Sequence, residues 1–375
     1  MKTAFKCKFF QNFIRMNIEM KLGILTSGGD CPGLNSAIRS VAKSLYRQMP
    51  GVEIVGIVGG YSGLINKEYR AMKPENFYDI INLGGTILRT TRQPFKNITD
   101  SEEPGPNKID KIIHNYKEMG LDCLCALGGN GTHKTANLLS STGLNVVALP
   151  KTIDNDIWGT DETFGFQTAV ELGTEIVDRL YTTAASHSRV IVVEAMGNKF
   201  GWLALATGLS SGAEVIVIPE IPYDINEINE TITHRVKEGR AYSVVIVAEG
   251  AFSKAESGLK RKDRLAARTA EGFQSVSAKL SKEIQNCTGI DSRVMVPGHY
   301  LRGGSPCAYD RMLTTQFGSY AADLIFNGVY GVTVAKKYGE ITHNKLEVVA
   351  DKPKPVPLDH PFITAARGTG ISLAD

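Results

Sequence analysis

Leu121-Asp-Cys-Leu-Cys-Ala-Leu-Gly-Gly-Asn-Gly-Thr132 and Leu144-Asn-Val-Val-Ala-Leu-Pro-Lys-Thr-Ile-Asp-Asn-Asp156 share one arrangement. In each, an apolar run of strand length ends in a turn of small, polar and charged residues. Ligands of open α/β sheets gather at the carboxyl ends of the strands, and glycines there let the backbone approach a phosphate closely. The second turn places Lys151, Thr152, Asp154 and Asp156 almost side by side. That set suits transfer of a phosphoryl group to an alcohol: one carboxylate takes the proton, another faces a metal, and the lysine meets phosphate charge. Asn130 stands where an acidic metal ligand is expected.

Outward from these turns the chain alternates between strand and helix patterns. Leu22–Thr26, Val52–Val58, Leu121–Leu127, Val146–Leu149, Arg189–Glu194, Val215–Ile218 and Ser243–Ala248 read as strands. Ser36–Gln48, Lys108–Met119, Gln167–Thr183 and Ile225–Glu238 read as helices. The alternation predicts an α/β fold of two doubly wound, Rossmann-like domains with mostly parallel sheets. The expected divisions are an N-terminal extension over 1–20, a phosphoryl-donor domain over 21–165 rejoined by part of 300–345, and a second domain over 166–299 that 346–375 joins. The first segment reads either as a basic extension or as sequence ahead of a start at Met16 or Met20. Lys254–Arg268 reads as a surface loop and helix start.

Composition narrows the function classes. With 42% hydrophobic and 22% charged residues the chain has ample material for a core, and a formal charge of +3 is too small to argue for nucleic acid or membrane surfaces. Six cysteines in 375 residues, two of them on one apolar strand, do not form a disulfide framework or a zinc spacing. A reducing cytoplasmic setting is expected, and no apolar run is long enough for a membrane helix.

Three strand ends in the first third are glycine-rich: Gly28-Gly29, Gly59-Gly60 and Gly128-Gly129. Neither a P-loop nor a complete dinucleotide fingerprint is present. The ordered series Leu25-Thr-Ser-Gly-Gly-Asp-Cys-Pro-Gly-Leu-Asn35, Gly84-Gly-Thr86, Gly128-Gly-Asn-Gly-Thr132 and Pro150–Asp156 instead resembles the signature of 6-phosphofructokinases. It continues through Ser186-His-Ser-Arg189, Val193-Glu-Ala-Met-Gly197, Ala248-Glu-Gly250 and Pro297-Gly-His-Tyr-Leu-Arg-Gly-Gly-Ser-Pro306. The resemblance runs from Lys21 to the C-terminus.

That resemblance implies a kinase that phosphorylates the 1-hydroxyl of fructose 6-phosphate, with Asp154 as general base and Thr152 and Lys151 beside it. It places Gly29, Tyr61, Arg92, Gln93, Gly129, Asn130, Gly131 and Thr132 around ATP, and Asn130 and Asp156 near Mg2+. Arg189, Met196, Gly197, Asn198, Glu249, Arg293, His299 and Arg302 become sugar-phosphate contacts, alongside Thr152 and Asp154. Arg189 and Arg293 match residues that serve a neighbouring subunit, so a homodimer or homotetramer with shared sites is implied.

Departures from the family pattern matter. Asn130 replaces an aspartate and Asn198 replaces an arginine, each removing a charge that serves phosphoryl transfer. Arg89 stands where many members carry glycine, either near the donor or on the surface. Gly131 favours ATP over pyrophosphate, whereas Lys151 resembles pyrophosphate-using members. Arg39 and Lys43 fall near effector positions of some bacterial members, or form a solvated helix face.

Overall fold

The computed structural model describes residues 20–93, 95–99 and 107–375, so all but Met20 of the expected N-terminal extension lies outside the described residues. The chain divides into two units. The first holds residues up to Lys151, Gly159–Asp161 and Gly304–Asp351; the second holds Thr152–Trp158, Glu162–Gly303 and Lys352–Asp375. The division falls at Lys151 and not at residue 165. Thr152–Trp158 is bound to the second unit, through the Thr163 hydroxyl on the Thr152 carbonyl (2.7 Å) and a bridge from Ile157 to Pro353.

The first unit begins with β1 (Lys21–Ser27), α1 (Leu34–Gln48), β2 (Glu53–Ile57), α2 (Tyr61–Asn66) and β3 (Tyr69–Met72). It continues with α3 (Phe95–Thr99), α4 (Lys108–Glu118), β4 (Cys123–Gly128), α5 (Asn130–Ser141) and β5 (Val146–Pro150). The returning segment adds α11 (Ala308–Phe326), β10 (Val332–Lys337), β11 (Glu340–Lys345) and α12 (Leu346–Val349). Strand order is β11-β10-β5-β4-β1-β2-β3, parallel except for the outer pairs β2–β3 and β10–β11. Strands β4 and β5 are buried at every position, which explains why they read as continuous apolar runs and not as alternating ones. Helix α11 packs along α1, where the Thr314 hydroxyl donates to Ser36 Oγ at 2.7 Å.

The second unit holds α6 (Phe166–His187), β6 (Val190–Ala195), α7 (Trp202–Ser211), β7 (Val215–Val217) and α8 (Ile225–Lys237). Then come β8 (Ser243–Ala248), α9 (Arg261–Ala270), α10 (Val276–Thr288), β9 (Ser292–Met295) and α13 (Pro361–Gly368). Its strands are all parallel, in the order β7-β8-β6-β9. Capping side chains mark several helix starts: Asn107, Asp224 and Ser275 each accept an N–H of the first turn of α4, α8 and α10.

Lys254–Arg268 is more ordered than a loop and helix start. It contains a short 3-10 turn, Lys254–Glu256, and most of α9, and its last residue is buried. Arg268 donates to both oxygens of Glu256 (3.0 and 2.9 Å) and to the Ala251 carbonyl (2.8 Å). Burial pushes the Glu256 carboxyl up, but those hydrogen bonds, the Ser253 N–H and the charges of Arg268 and Lys279 outweigh it and bring it to about 2.

Candidate active site

The sheet of the first unit reverses direction at β1. The chain runs from β1 to β2 on one side and returns as β4 on the other, so the β1–β4 pair is a topological switch point. The turns leaving those two strands are Gly28-Gly29 and Gly128-Gly129. A Cβ on Gly128 would meet Thr132 Oγ1 at 2.0 Å, so only glycine allows α5 to start that close to its strand. Glycine is also at position 131 for a different reason. A Cβ there would meet nothing within 4 Å, and the residue is exposed in the first turn of α5. Packing does not demand glycine at 131; the space beside it stays open.

Lys151 follows β5. It is 3% exposed, its N–H donates to the Gly128 carbonyl at 3.0 Å, and its ammonium donates to the Gly29 carbonyl. One residue therefore joins both glycine turns, the second through its backbone and the first through its side chain. The first-turn N–H groups of α5 and the positive end of its dipole add to this cation, and the combination attracts a phosphate.

Several threonines tie the adjoining segment across the strand ends. The Thr91 carbonyl accepts the Gly28 N–H (3.1 Å), the Thr91 hydroxyl donates to the Gly59 carbonyl (2.6 Å), and Thr90 Oγ1 donates to the Gly28 carbonyl (2.7 Å). Arg92, exposed, and Gln93, half-buried, follow this clamp directly. Arg89 is exposed with φ 55°, and its carbonyl accepts Thr26 Oγ1 at 2.8 Å.

Two expected donor contacts have supporting positions. Tyr61 is 1% exposed and donates its hydroxyl to the Thr132 carbonyl at 3.1 Å; burial holds the phenol far above its usual pKa. Thr132 is itself buried, its hydroxyl facing the Ser27 carbonyl at 3.5 Å. Both brace the turn from within. Asn130, half-buried, opens α5 next to Gly131.

His133, which the motifs did not single out, is fully buried beside this turn. Its Nδ1 lies 2.9 Å from the Gly129 carbonyl and its Nε2 lies 2.9 Å from Thr333 Oγ1. Because a carbonyl only accepts, Nδ1 carries the proton and Nε2 accepts from the threonine. Burial lowers its pKa to about 4, with the charge of Lys151 adding to the fall and the Gly129 hydrogen bond opposing it. Its partner lies 200 residues away in sequence, so no local signal marks it.

In the second unit Thr152, Asp154 and Asp156 lie on one turn whose apolar members, Ile153 and Ile157, are buried. The Asp154 N–H donates to Thr152 Oγ1 at 3.0 Å, and Asn155, at φ 50°, accepts the Thr163 N–H at 3.1 Å through its side-chain oxygen. Asp154 is half-buried, and Thr152 and Asp156 are buried. Thr152 thus shapes the backbone that presents the Asp154 carboxylate.

The expected sugar-phosphate residues separate into two groups at opposite ends of one sheet. Met196, Gly197 and Asn198 leave the carboxyl end of β6, Glu249 leaves that of β8, and His299 and Arg302 lie in the short helix Gly298–Arg302 after β9. Glu249 Oε1 accepts the N–H groups of Gly197 (3.2 Å) and Asn198 (2.6 Å). Arg189 and Arg293 lie at the other end. Arg189 immediately precedes β6, and Arg293 pairs in register with Ile191. A strand of six residues spans about 20 Å, so these arginines do not join the Gly197–Glu249 group of their own chain.

Among the described residues no group of three or more His, Cys, Asp and Glu side chains forms a metal cage. Mg2+ does not require one, since one or two oxygen side chains plus substrate phosphates and water hold it in phosphotransferases. The Asn130 amide oxygen and the Asp156 carboxylate are donors of the right kind.

Fold and site together define a doubly wound α/β protein whose first unit has glycine-rich turns and a buried lysine at the carboxyl ends of its central strands. A family model described as Phosphofructokinase matches residues 21–325. The chain belongs to the phosphofructokinase family. A protein of Spirochaeta thermophila named ATP-dependent 6-phosphofructokinase is 50% identical over 94% of this chain and 97% of its own length. One of Bacteroides thetaiotaomicron, ATP-dependent 6-phosphofructokinase 3, is 44% identical over 94% and 99%. The solved phosphofructokinase of Saccharomyces cerevisiae superimposes with a TM-score of 0.76 at 28% identity, covering 95% of this chain and 48% of that one.

Proposed function

We propose that the protein is an ATP-dependent 6-phosphofructokinase, transferring the γ-phosphoryl of ATP to the 1-hydroxyl of fructose 6-phosphate. The observation that carries this reading is its half-identity to a relative of that name over nearly the full length of both chains. The open space at Gly131 supports the nucleotide as donor, since a side chain there would project beside the phosphate-binding turn. A cytoplasmic setting suits the free cysteines Cys31, Cys123, Cys125, Cys287 and Cys307.

Asp154 accepts the proton of the attacking hydroxyl, held by the turn that Thr152 and Asn155 brace. Lys151, Gly29, Gly129 and the amides of Gly131 and Thr132 hold the donor phosphates, with Arg92 and Gln93 at the rim. Met196, Gly197, Asn198, Glu249, His299 and Arg302 hold the sugar phosphate, and Glu249 keeps the Gly197-Asn198 amides in place. Asn130 and Asp156 are the side chains that would hold Mg2+, which would supply neutralisation of phosphate charge. Arg189 and Arg293 complete the sugar-phosphate site of a neighbouring subunit, so the working unit is a homo-oligomer. Two planar guanidiniums suit a phosphate dianion because each offers paired N–H donors.

Initial rates with ATP and with pyrophosphate, over a range of Mg2+ concentrations, test the reaction. The expected result is faster turnover with ATP. Faster turnover with pyrophosphate, or none with either donor, overturns it.

A further inference from the structure

Next to the Gly197-Asn198 loop, the second unit carries a cleft of about 320 Å3 that shares Asn198 with the candidate site and whose cations have no role there. Lys199, Arg261 and Arg264 bring three cations to its lining; Asn198, Phe252 and Glu220 border it as well. Both arginines lie on α9 three residues apart, and thus on one helix face.

Lys199, Arg261 and Arg264 form no ion pair with a carboxylate among the described residues. Among the described residues Arg268 is the one arginine of α9 paired with a carboxylate, that of Glu256. Arg261 donates from Nη1 to the side-chain oxygen of Asn198 at 2.7 Å, a neutral partner. The Arg264 guanidinium carbon lies 3.6 Å from the centre of the Phe252 ring, a cation–π stack that fixes its plane. Its Nη1 is shielded from solvent and has no hydrogen-bond partner among the described residues. A buried guanidinium N–H without an acceptor is costly, and such a group marks a place where a ligand completes the bonding.

Glu220, the carboxylate of the lining, is engaged by backbone groups and forms no ion pair with these cations among the described residues. Its oxygens accept the N–H groups of Gly201 (3.1 and 3.0 Å) and Val356 (3.0 Å), and burial pushes its carboxyl above the usual range. Burial, then the charges of Arg268 and Arg261, hold the Arg264 guanidinium below its ordinary pKa, with Glu256 opposing. An anion placed between Arg261 and Arg264 offsets their mutual repulsion and gives the Arg264 Nη1 an acceptor.

We propose that this cleft is an anion site in which Arg261, Arg264 and Lys199 hold one phosphate dianion of a phosphorylated small molecule. Asn198 borders both the cleft and the Gly197 loop, so an occupant that engages Arg261 also acts on the loop that Glu249 steadies. The phosphate is carried either by the reaction's own sugar phosphate or by a separate metabolite.

Calorimetric titration of the full chain, wild type against the K199Q/R261Q double variant, tests this, first with inorganic phosphate and then with fructose 6-phosphate. Each charge-assisted hydrogen bond lost weakens binding by about tenfold or more. A weaker phosphate isotherm with unchanged fructose 6-phosphate affinity assigns the cleft to a separate metabolite. Weakening of both assigns it to the sugar substrate, whose one phosphate would then lie here and not on the Arg189–Arg293 pair. Phosphate and fructose 6-phosphate isotherms that both superimpose on wild type overturn the proposal. R261K and K199Q singly, with thermal melts alongside, separate loss of the site from loss of the fold. The second arm rests on the proposed function; a wild type that binds phosphate but not fructose 6-phosphate would refute that function and leave the cleft tested by the first arm.

Discussion

Arg189 and Arg293 share one counter-ion: their Nη2 atoms lie 3.3 and 3.1 Å from opposite oxygens of Asp291. Asp291 directly precedes β9, the edge strand of its sheet, and so holds both guanidiniums at the amino ends of β6 and β9. Arg293 is largely exposed, and Arg189 Nε is buried with no hydrogen-bond partner among the described residues. Such an arrangement presents a paired cation at a sheet end remote from its own chain's Glu249.

This makes subunit sharing testable by complementation. A D154N chain and an R189Q/R293Q chain should each be inactive alone. Co-expressed and co-purified, they should regain a substantial fraction of wild-type activity, because some sites then take Asp154 from one chain and both arginines from the other. A mixture as inactive as its parents would place all the residues of each site on one chain.

Asp154 itself should be separable from binding. D154N should lower kcat by at least about a thousandfold, the scale of a lost general base, with the dissociation constant for fructose 6-phosphate changed by less than about threefold. Pre-steady-state rates and equilibrium titration check the two halves. A near-normal kcat would assign proton removal to another group.

Gly131 offers a prediction in which stability and specificity part company. G131D puts a carboxylate into the open space beside the phosphate turn. Like-charge repulsion of that kind costs several kcal/mol, so kcat/KM for ATP should fall on the order of a hundredfold or more. The melting temperature should hold, because a side chain at 131 clashes with nothing nearby. N130D should act in the opposite sense on the metal and lower the Mg2+ concentration for half-maximal rate. An unchanged Mg2+ dependence would place the ion away from residue 130.

His133 should make stability depend on pH. Its pKa is about 4 in the fold against 6.5 for the free side chain, so below pH 6.5 the unfolded chain takes up a proton that the fold refuses. Stability is therefore lost as pH falls from 6.5 towards 4, by about 2 kcal/mol between pH 7 and pH 5 from this group, and is indifferent to it above pH 7. Urea unfolding at both pH values, for wild type and H133N, isolates the contribution. Equal pH slopes in the two proteins would mean that the imidazole titrates normally. Glu256, held near 2, adds a second loss at lower pH, between about 4.5 and 2.

Much of the fold was legible because its causes are local. Apolar runs bounded by glycine turns located the central strands to within about two residues, and the 3.6-residue periodicity located α1, α4, α6 and α8. The short helices α2, α3 and α12 and the longer α5, α7, α10, α11 and α13 escaped notice, and α9 was read only as a helix start. Helix α7 is apolar nearly all round and α11 is buried along much of its length, so neither shows a clean two-faced pattern. The antiparallel edges β3 and β11 were also missed, being short and half-exposed.

The sequence by itself determined the doubly wound class, the chemistry of the strand-end turns and the family, since each depends on residues near one another in the chain. Only the tertiary structure decided how those residues are shared out. It seated the Lys151 ammonium on the Gly29 carbonyl, set His133 between Gly129 and Thr333, and moved Arg189 and Arg293 to the far end of their sheet from Glu249. It also joined Arg261 to Asn198 across 63 residues of chain. Strand order and register create these neighbours. The opening pair of motifs specifies its own strands and turns, but hydrogen bonds between side chains distant in sequence form only where the packed sheets bring them together.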